Sequence, residues 1–276
     1  MIILEINNLS VEFLNTRTGI GETIRAVDRV NIIVKEGVIT SLVGESGSGK
    51  SVTALSICRL LKPYKCDGEI NYYPHEGPKI DLLSAPEQEI LNIRGKEISY
   101  IFQDPASSLN PVMRVGDQIK EAYLAHFESS SAMGEKKAKE MLGAVKIKDV
   151  NRVYHSFPHE LSGGMKQRAM IAMALISGPR LLIADEPTTA LDVMTEAEIM
   201  ELLGAIQKER RLAVLFITHN LSLAAAFSRS IYVMEKGRVA EHLERGESGF
   251  SPAQAYTKKL FNAHFHHSNP KSLIGV

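Results

Sequence analysis

The chain has 276 residues, and its 32 lysines and arginines are balanced by 32 aspartates and glutamates, giving a formal net charge of zero. That balance offers no overall basic footprint for nucleic acid, and two cysteines, Cys58 and Cys66, are too few for a disulfide framework. No apolar run approaches the ~20 residues needed to span a bilayer, and Met1-Ile2-Ile3-Leu4-Glu5 alternates into a strand instead of forming a basic leader with an apolar core. The expectation is a non-secreted chain in a reducing compartment.

Residues 2–34 read as a β-rich segment, with Phe13 beside one of its strands. Next comes the apolar run Val38-Ile39-Thr40-Ser41-Leu42-Val43, then Gly44-Glu45-Ser46-Gly47-Ser48-Gly49-Lys50-Ser51, then Val52-Thr53-Ala54-Leu55-Ser56-Ile57. Strand, glycine loop and helix in this order are the context a Walker A phosphate-binding loop requires. The glycines let the backbone turn its N–H groups inward, and with the following helix N-terminus those donors receive phosphate oxygens. Lys50 is placed to reach the β- and γ-phosphates, and the Ser51 hydroxyl to ligate Mg²⁺. A Gly/Ser-rich linker is the competing reading; the strand, the spacing, the lysine and the serine together argue against it. Cys58 falls in the apolar helix after the loop as a small core residue, and Cys66 in a loop with no His or Cys neighbour.

Ile98-Ser99-Tyr100-Ile101-Phe102 reads as a strand ending at Gln103, a neutral donor and acceptor able to touch both a metal-bound water and a nucleophile. Between Gln103 and Ser162 the pattern becomes helical, with helices over 116–126 and 135–145 and a loop over 128–132. Leu161-Ser162-Gly163-Gly164-Met165 opens a further helix over 163–176, which Ser162 caps while Gly163 and Gly164 permit close approach to an anion. Arg180-Leu181-Leu182-Ile183-Ala184-Asp185-Glu186-Pro187 reads as a buried strand with two carboxylates at its end, stopped by the proline. A strand followed by a solvated acidic turn would look similar, but not alongside the Lys50 loop. Asp185 is the Walker B carboxylate for a Mg²⁺ shell, and Glu186 is placed to polarise an attacking water. His219 ends the apolar stretch 212–218; a lone histidine there is more often structural, so its assignment leans on the other residues. A helix over 220–228, a hairpin of 230–235 and 238–241 turned at Lys236-Gly237, and a last helix over 252–262 follow. Alternating strands and helices of this kind imply an α/β core with a mostly parallel sheet.

Walker A, Gln103, the 161–167 signature, Asp185-Glu186, Ala190-Leu191-Asp192 and His219, in this order, resemble the nucleotide-binding subunit of an ATP-binding-cassette transporter, from the N-terminus to residue 262. The resemblance implies a P-loop NTPase (RecA-like) core with an N-terminal antiparallel β segment and an inserted helical subdomain. Its divisions would be one ATPase domain over 1–262, made of a nucleotide-binding core (1–103 and 177–248) and a helical signature subdomain (104–176), with a C-terminal helix and tail over 249–276. It implies ATP and Mg²⁺ as ligands, with nucleotide contacts from Phe13, Gly44, Glu45, Ser46, Gly47, Ser48, Gly49, Lys50, Ser51, Val52, Gln103, Ser162, Gly163, Gly164 and Asp185. Metal contacts would come from Ser51, Gln103 and Asp185, and catalysis from Glu186, His219 and Gln103. Phe13 resembles the aromatic that stacks on adenine, although an apolar residue there is also ordinary core. The family arrangement sets Ser162–Gly164 against the γ-phosphate held by Lys50 of another protomer in a head-to-tail pair, with Asp192 coupling the two sites and hinges at Gln103 and near Pro187. Implied partners are a second cassette (a copy or a paralogue), two integral membrane permease subunits and, indirectly, an extracytoplasmic substrate-binding protein. The chain would sit peripherally on the cytoplasmic face of the inner membrane.

Ile101-Phe102-Gln103-Asp104-Pro105 through Leu109-Asn110-Pro111-Val112, with Phe157-Pro158-His159-Glu160 and Met165 after the glycines, is similar to the dipeptide, oligopeptide and nickel importer group. No cysteine follows Cys66, so the cysteine-cluster extension of many peptide importers is not expected, which shifts weight toward shorter nickel or metallophore members. His264, His266 and His267 suit Ni²⁺ chemically, yet a polar terminus is the better reading. A different class, an ABC ATPase of a soluble complex such as a phosphonate-breakdown assembly, stands as the alternative.

Overall fold

The computed structural model describes residues 1–15, 22–189 and 191–265, with the side chains of Ala106, His264 and Phe265 left aside. The chain forms two compact units: Met1–Ala85 with Leu215 onward, and Pro86–Val214.

The first unit begins with two 13-residue strands, β1 (Ile2–Leu14) and β2 (Thr23–Lys35), paired antiparallel with Phe13 opposite Ile24. Alternation buries Leu4 and Ile6, changes phase at the register shift between Ile6 and Leu9, and resumes with Leu9 and Val11, while β2 buries Val30, Ile32 and Val34. The strand β3 (Ile39–Val43) is buried at every position and runs directly into the glycine loop and α1 (Lys50–Ile57). β4 (Lys65–Tyr72) pairs antiparallel with β1, and β5 (Ile80–Asp81) extends this sheet in the order β2-β1-β4-β5. Cys66 therefore lies on a strand opposite Val11, not in a loop: backbone pairing to β1 overrides the polar, glycine-containing run Lys65–Glu69. Cys58 is the residue that closes α1, with its thiol buried.

The second unit opens with α2 (Glu87–Ile93) and β6 (Ile98–Ile101), one residue shorter than the sequence suggests because Phe102 is already exposed. Helices α3 (Pro105–Ser108), α4 (Val115–Leu124), α5 (Ser131–Ala144), α6 (Val150–His155) and α7 (Gly163–Leu175) follow. The expected 128–132 loop ends early, because the Ser130 side chain accepts from Met133 N and starts α5 at Ser131. α4 to α7 bury Val115, Ile119, Leu142, Val153, Ile171 and Leu175 as the core of this helical region. The buried strand β7 (Leu181–Asp185) pairs in parallel with β6, and α8 (Val193–Arg210) carries the chain on.

β8 (Ala213–Thr218), buried throughout, leads back into the first unit. There α9 (Leu221–Phe227) precedes the hairpin β9 (Ser230–Glu235) and β10 (Arg238–Glu244), and α10 (Ala255–Phe265) ends the described chain. β9 runs parallel to β3 with Val43 opposite Val233. Val43, Leu221, Ala224, Ile231, Val233 and Leu243 form one apolar cluster, sealed by Phe250, Tyr256, Leu260 and Phe261. That cluster anchors the strand that delivers the glycine loop, so the loop starts from a fixed base. Among the described residues no helix is long and apolar enough to cross a membrane.

Candidate nucleotide site

In the first unit the loop 44–50 wraps back on its own lysine. Lys50 Nζ is buried and donates to the carbonyls of Gly44 and Glu45 at 2.9 and 3.0 Å, so the ammonium is held inside the turn. Glu45, Ser46 and Gly47 are exposed, and Ser51 and Val52 are half-buried in the first turn of α1. Gly49 adopts φ +102 as the residue capping α1, and a Cβ there would lie 2.5 Å from the Ala26 carbonyl oxygen. Gly47, at φ +79, faces open space on the side a Cβ would fill. Ser48 Oγ is buried with no hydrogen-bond partner among the described residues. A buried hydroxyl without a partner costs about 1–3 kcal/mol, so an incoming phosphate oxygen has a donor waiting for it. The residues present fit a nucleotide phosphate.

The loop is braced from beneath. Gly237 N donates to Ser48 O at 3.0 Å, and Asp28 N donates to Gly237 O at 2.8 Å. The Asp28 carboxylate accepts from Arg238 Nε at 2.6 Å and from Arg25 at 3.3 Å. The Arg238 hydrogen bond, followed by the positive charges of Arg238, Arg29 and Arg25, holds Asp28 below the usual carboxylate range. Phe13 is half-buried on β1, and His219 is exposed one residue past β8.

In the second unit three predicted residues converge. Asp185 ends β7 and is buried; its Oδ2 accepts from the Tyr100 hydroxyl at 2.7 Å. Glu186 follows in the left-handed region at φ +45, a conformation costing a non-glycine residue about 1–3 kcal/mol. Its Oε2 accepts from Gln103 Nε2 and from Thr189 Oγ1, both at 2.9 Å, and its carbonyl accepts from Thr189 N at 3.1 Å. The tight turn 186–189 thus aims a half-buried carboxylate and clamps it from two sides. Ser162 accepts from Met165 N at 3.4 Å and starts α7, with Ser162 and Gly163 exposed. A Cβ on Gly164 would meet Thr195 Cγ2 at 2.7 Å, so this glycine makes room for the start of α8. Asp192 caps α8 through Thr195 N and Thr195 Oγ1, and the first of these bonds leads in lowering its pKa. Ala190, His266 and His267 lie outside the described residues.

Sequence reasoning did not single out Tyr100, Thr189, Asp28 or Arg238. Tyr100 and Arg238 are joined to the site by strand register and by a partner 210 residues away, signals absent from any local window; Thr189, three residues from Glu186, was within reach of a turn argument.

Residues 27–189, more than half of the chain, match the family model described as ABC transporter. The chain belongs to the ABC transporter family. It is an ATP-binding, ATP-hydrolysing cassette of that family. The cassette is 41% identical over 263 residues to the oligopeptide transport ATP-binding protein OppD of Salmonella typhimurium, covering 95% of this chain and 76% of that protein. It is 42% identical over 264 residues to the dipeptide transport ATP-binding protein DppD of Bacillus subtilis, with coverage of 95% and 76%. Among solved structures, a dimeric ATP-binding cassette in a post-hydrolysis state with ADP and Pi superposes with a TM-score of 0.76 at 30% identity, over 88% of this chain and 100% of that one. Its fold is accordingly that of the P-loop ABC ATPases, with antiparallel and parallel sheets.

Proposed function

We propose that the cassette is the ATP-hydrolysing subunit of an importer for peptides across the cytoplasmic membrane. The observation that carries the catalytic part is the Glu186 carboxylate clamped by Gln103 and Thr189 at the end of a buried strand. The cargo reading rests on relatives named for oligopeptide and dipeptide transport. Neither of these names mentions nickel.

ATP phosphates are received by the backbone N–H groups of 44–50, the Ser48 hydroxyl and the Lys50 ammonium. Glu186 accepts a proton from the attacking water as the water bonds to the γ-phosphorus and ADP leaves. Gln103, already bonded to Glu186, orients that carboxylate and follows it when the γ-phosphate departs. His219 serves as a further polar contact to phosphate or water, and Phe13 as the adenine platform. Ser162, Gly163 and Gly164 present the positive end of α7 to nucleotide on a second cassette, and closure of that pair supplies the work. Neighbouring chemistry favours positioning and charge neutralisation over covalent catalysis.

Ser51, Gln103 and Asp185 offer a hydroxyl, an amide oxygen and a carboxylate, the hard oxygen donors Mg²⁺ takes. Held by these residues, Mg²⁺ would supply charge neutralisation to the nucleotide phosphates.

The test is uptake by the reconstituted complex of this cassette with its membrane subunits. ATP-driven accumulation of labelled peptides that disappears with Glu186→Gln is expected; accumulation of a nickel chelate but no peptide would overturn the cargo reading.

A further inference from the structure

We infer that Tyr100 is the positioning residue that fixes the Asp185 carboxylate for its metal-holding role. The sheet register brings the two together. β6 and β7 run parallel with Tyr100 opposite Ile183, so Asp185, two residues farther along, lies on the same face as Tyr100. Diagonal neighbours on one face are about 7–8 Å apart, a span a tyrosine covers and a shorter side chain does not. The hydroxyl arrives at 2.7 Å from Oδ2, the length of a strong charge-assisted bond.

The ring is fixed at its other edge. It packs against Phe102 with centroids 4.6 Å apart and the ring planes tilted by 38°, and both rings line an apolar cavity of about 550 Å³ with Ala122, His126, Met170 and Met173. A phenol held this way commits Oδ2 and sets the plane of the carboxylate before the ligand arrives. Outer hydrogen-bond partners of metal ligands characteristically change metal affinity by about 10–100-fold when removed. Tyr100→Phe deletes only the hydroxyl and keeps the ring that lines the cavity.

The proposal rests on Asp185 as a Mg²⁺ ligand, and the experiment separates the two claims. Affinity for a non-hydrolysable ATP analogue is measured on the full chain by equilibrium dialysis, with EDTA and with saturating Mn²⁺, for wild type, Tyr100→Phe and Asp185→Asn. The expected result is a metal-dependent gain in affinity reduced about tenfold in Tyr100→Phe, with metal-free affinity unchanged. A gain unchanged in Tyr100→Phe but lost in Asp185→Asn overturns the role of Tyr100 and leaves the metal reading standing. A gain unchanged in both variants removes the metal reading and the proposal with it. A fall in metal-free affinity equal to the fall with metal in Tyr100→Phe assigns the hydroxyl a structural role and likewise overturns the proposal.

Discussion

Gln103 Nε2 and Glu186 Oε2 are 2.9 Å apart, joined just beyond a parallel strand pair in which Ile101 faces Ala184. The strand pairing sets their positions, and the left-handed turn at Glu186 brings its carboxylate round to the amide. With Thr189 as second donor, the carboxylate is held in one orientation, as the general-base role proposed for it requires.

Glu186→Gln should therefore lower ATP turnover by at least about 100-fold, the scale of a lost general base. The volume barely changes, so ATP binding should persist and the nucleotide-bound dimer should accumulate. Phosphate release and size-exclusion chromatography with ATP check both parts. Near wild-type turnover would remove Glu186 from the mechanism. Thr189→Val, which keeps shape and loses one donor, should cost a smaller factor, about 3- to 10-fold, as expected for a single hydrogen bond of ~1 kcal/mol.

Lys50→Ala removes the ammonium that ties the carbonyls of Gly44 and Glu45 together. Gly49→Ala forces a Cβ to 2.5 Å from the Ala26 backbone oxygen at a φ of +102, where side chains are strained. Both variants should lose more than about tenfold in ATP affinity, roughly 1.4 kcal/mol, by equilibrium dialysis. Circular dichroism should show Lys50→Ala fully folded, which separates lost charge from lost structure.

Gly164→Ala places a methyl 2.7 Å from Thr195 Cγ2 and should destabilise the chain by about 1–3 kcal/mol, the range for overpacking. Thr195→Ser deletes that methyl while retaining the hydroxyl that bonds Asp192 Oδ2. The double variant should recover most of the loss in urea unfolding; no recovery would place the strain elsewhere.

Asp28 has its folded pKa lowered by the Arg238 hydrogen bond, so folding is favoured by the ionised form. The contribution is fully present above the ordinary value of 3.8 and is lost as pH falls through the lower folded pKa. Arg238→Met should therefore reduce stability near neutrality, and the gap to wild type should close below pH ~3.8. Unfolding curves between pH 3 and 7 read this directly, and a pH-independent gap would contradict it.

The glycine loop was legible because its information is local: an apolar strand, three glycines and a lysine within one window determine a turn. Ser162 as a helix cap and the strand of Asp185 were legible for the same reason. Cys66 lies on a strand that the sequence does not announce: the segment from Lys65 to Glu69 lacks apolar alternation, and only its pairing with β1 makes it a strand. α5 starts at Ser131, ahead of the expected 135, because Ser130 acts as a helix cap although its serine-rich surroundings read as loop. Tyr100 is not legible locally because its partner is specified by inter-strand register, nor is Arg238, whose carboxylate partner lies 210 residues away.

The most direct measurement is a mild-detergent pull-down of the tagged Glu186→Gln chain from its own cells with ATP present, identifying every chain retained. An importer subunit should bring two integral membrane proteins and a second cassette, released when ATP is withdrawn in the case of the second cassette. Recovery of soluble partners alone would contradict transport while leaving the ATPase in place.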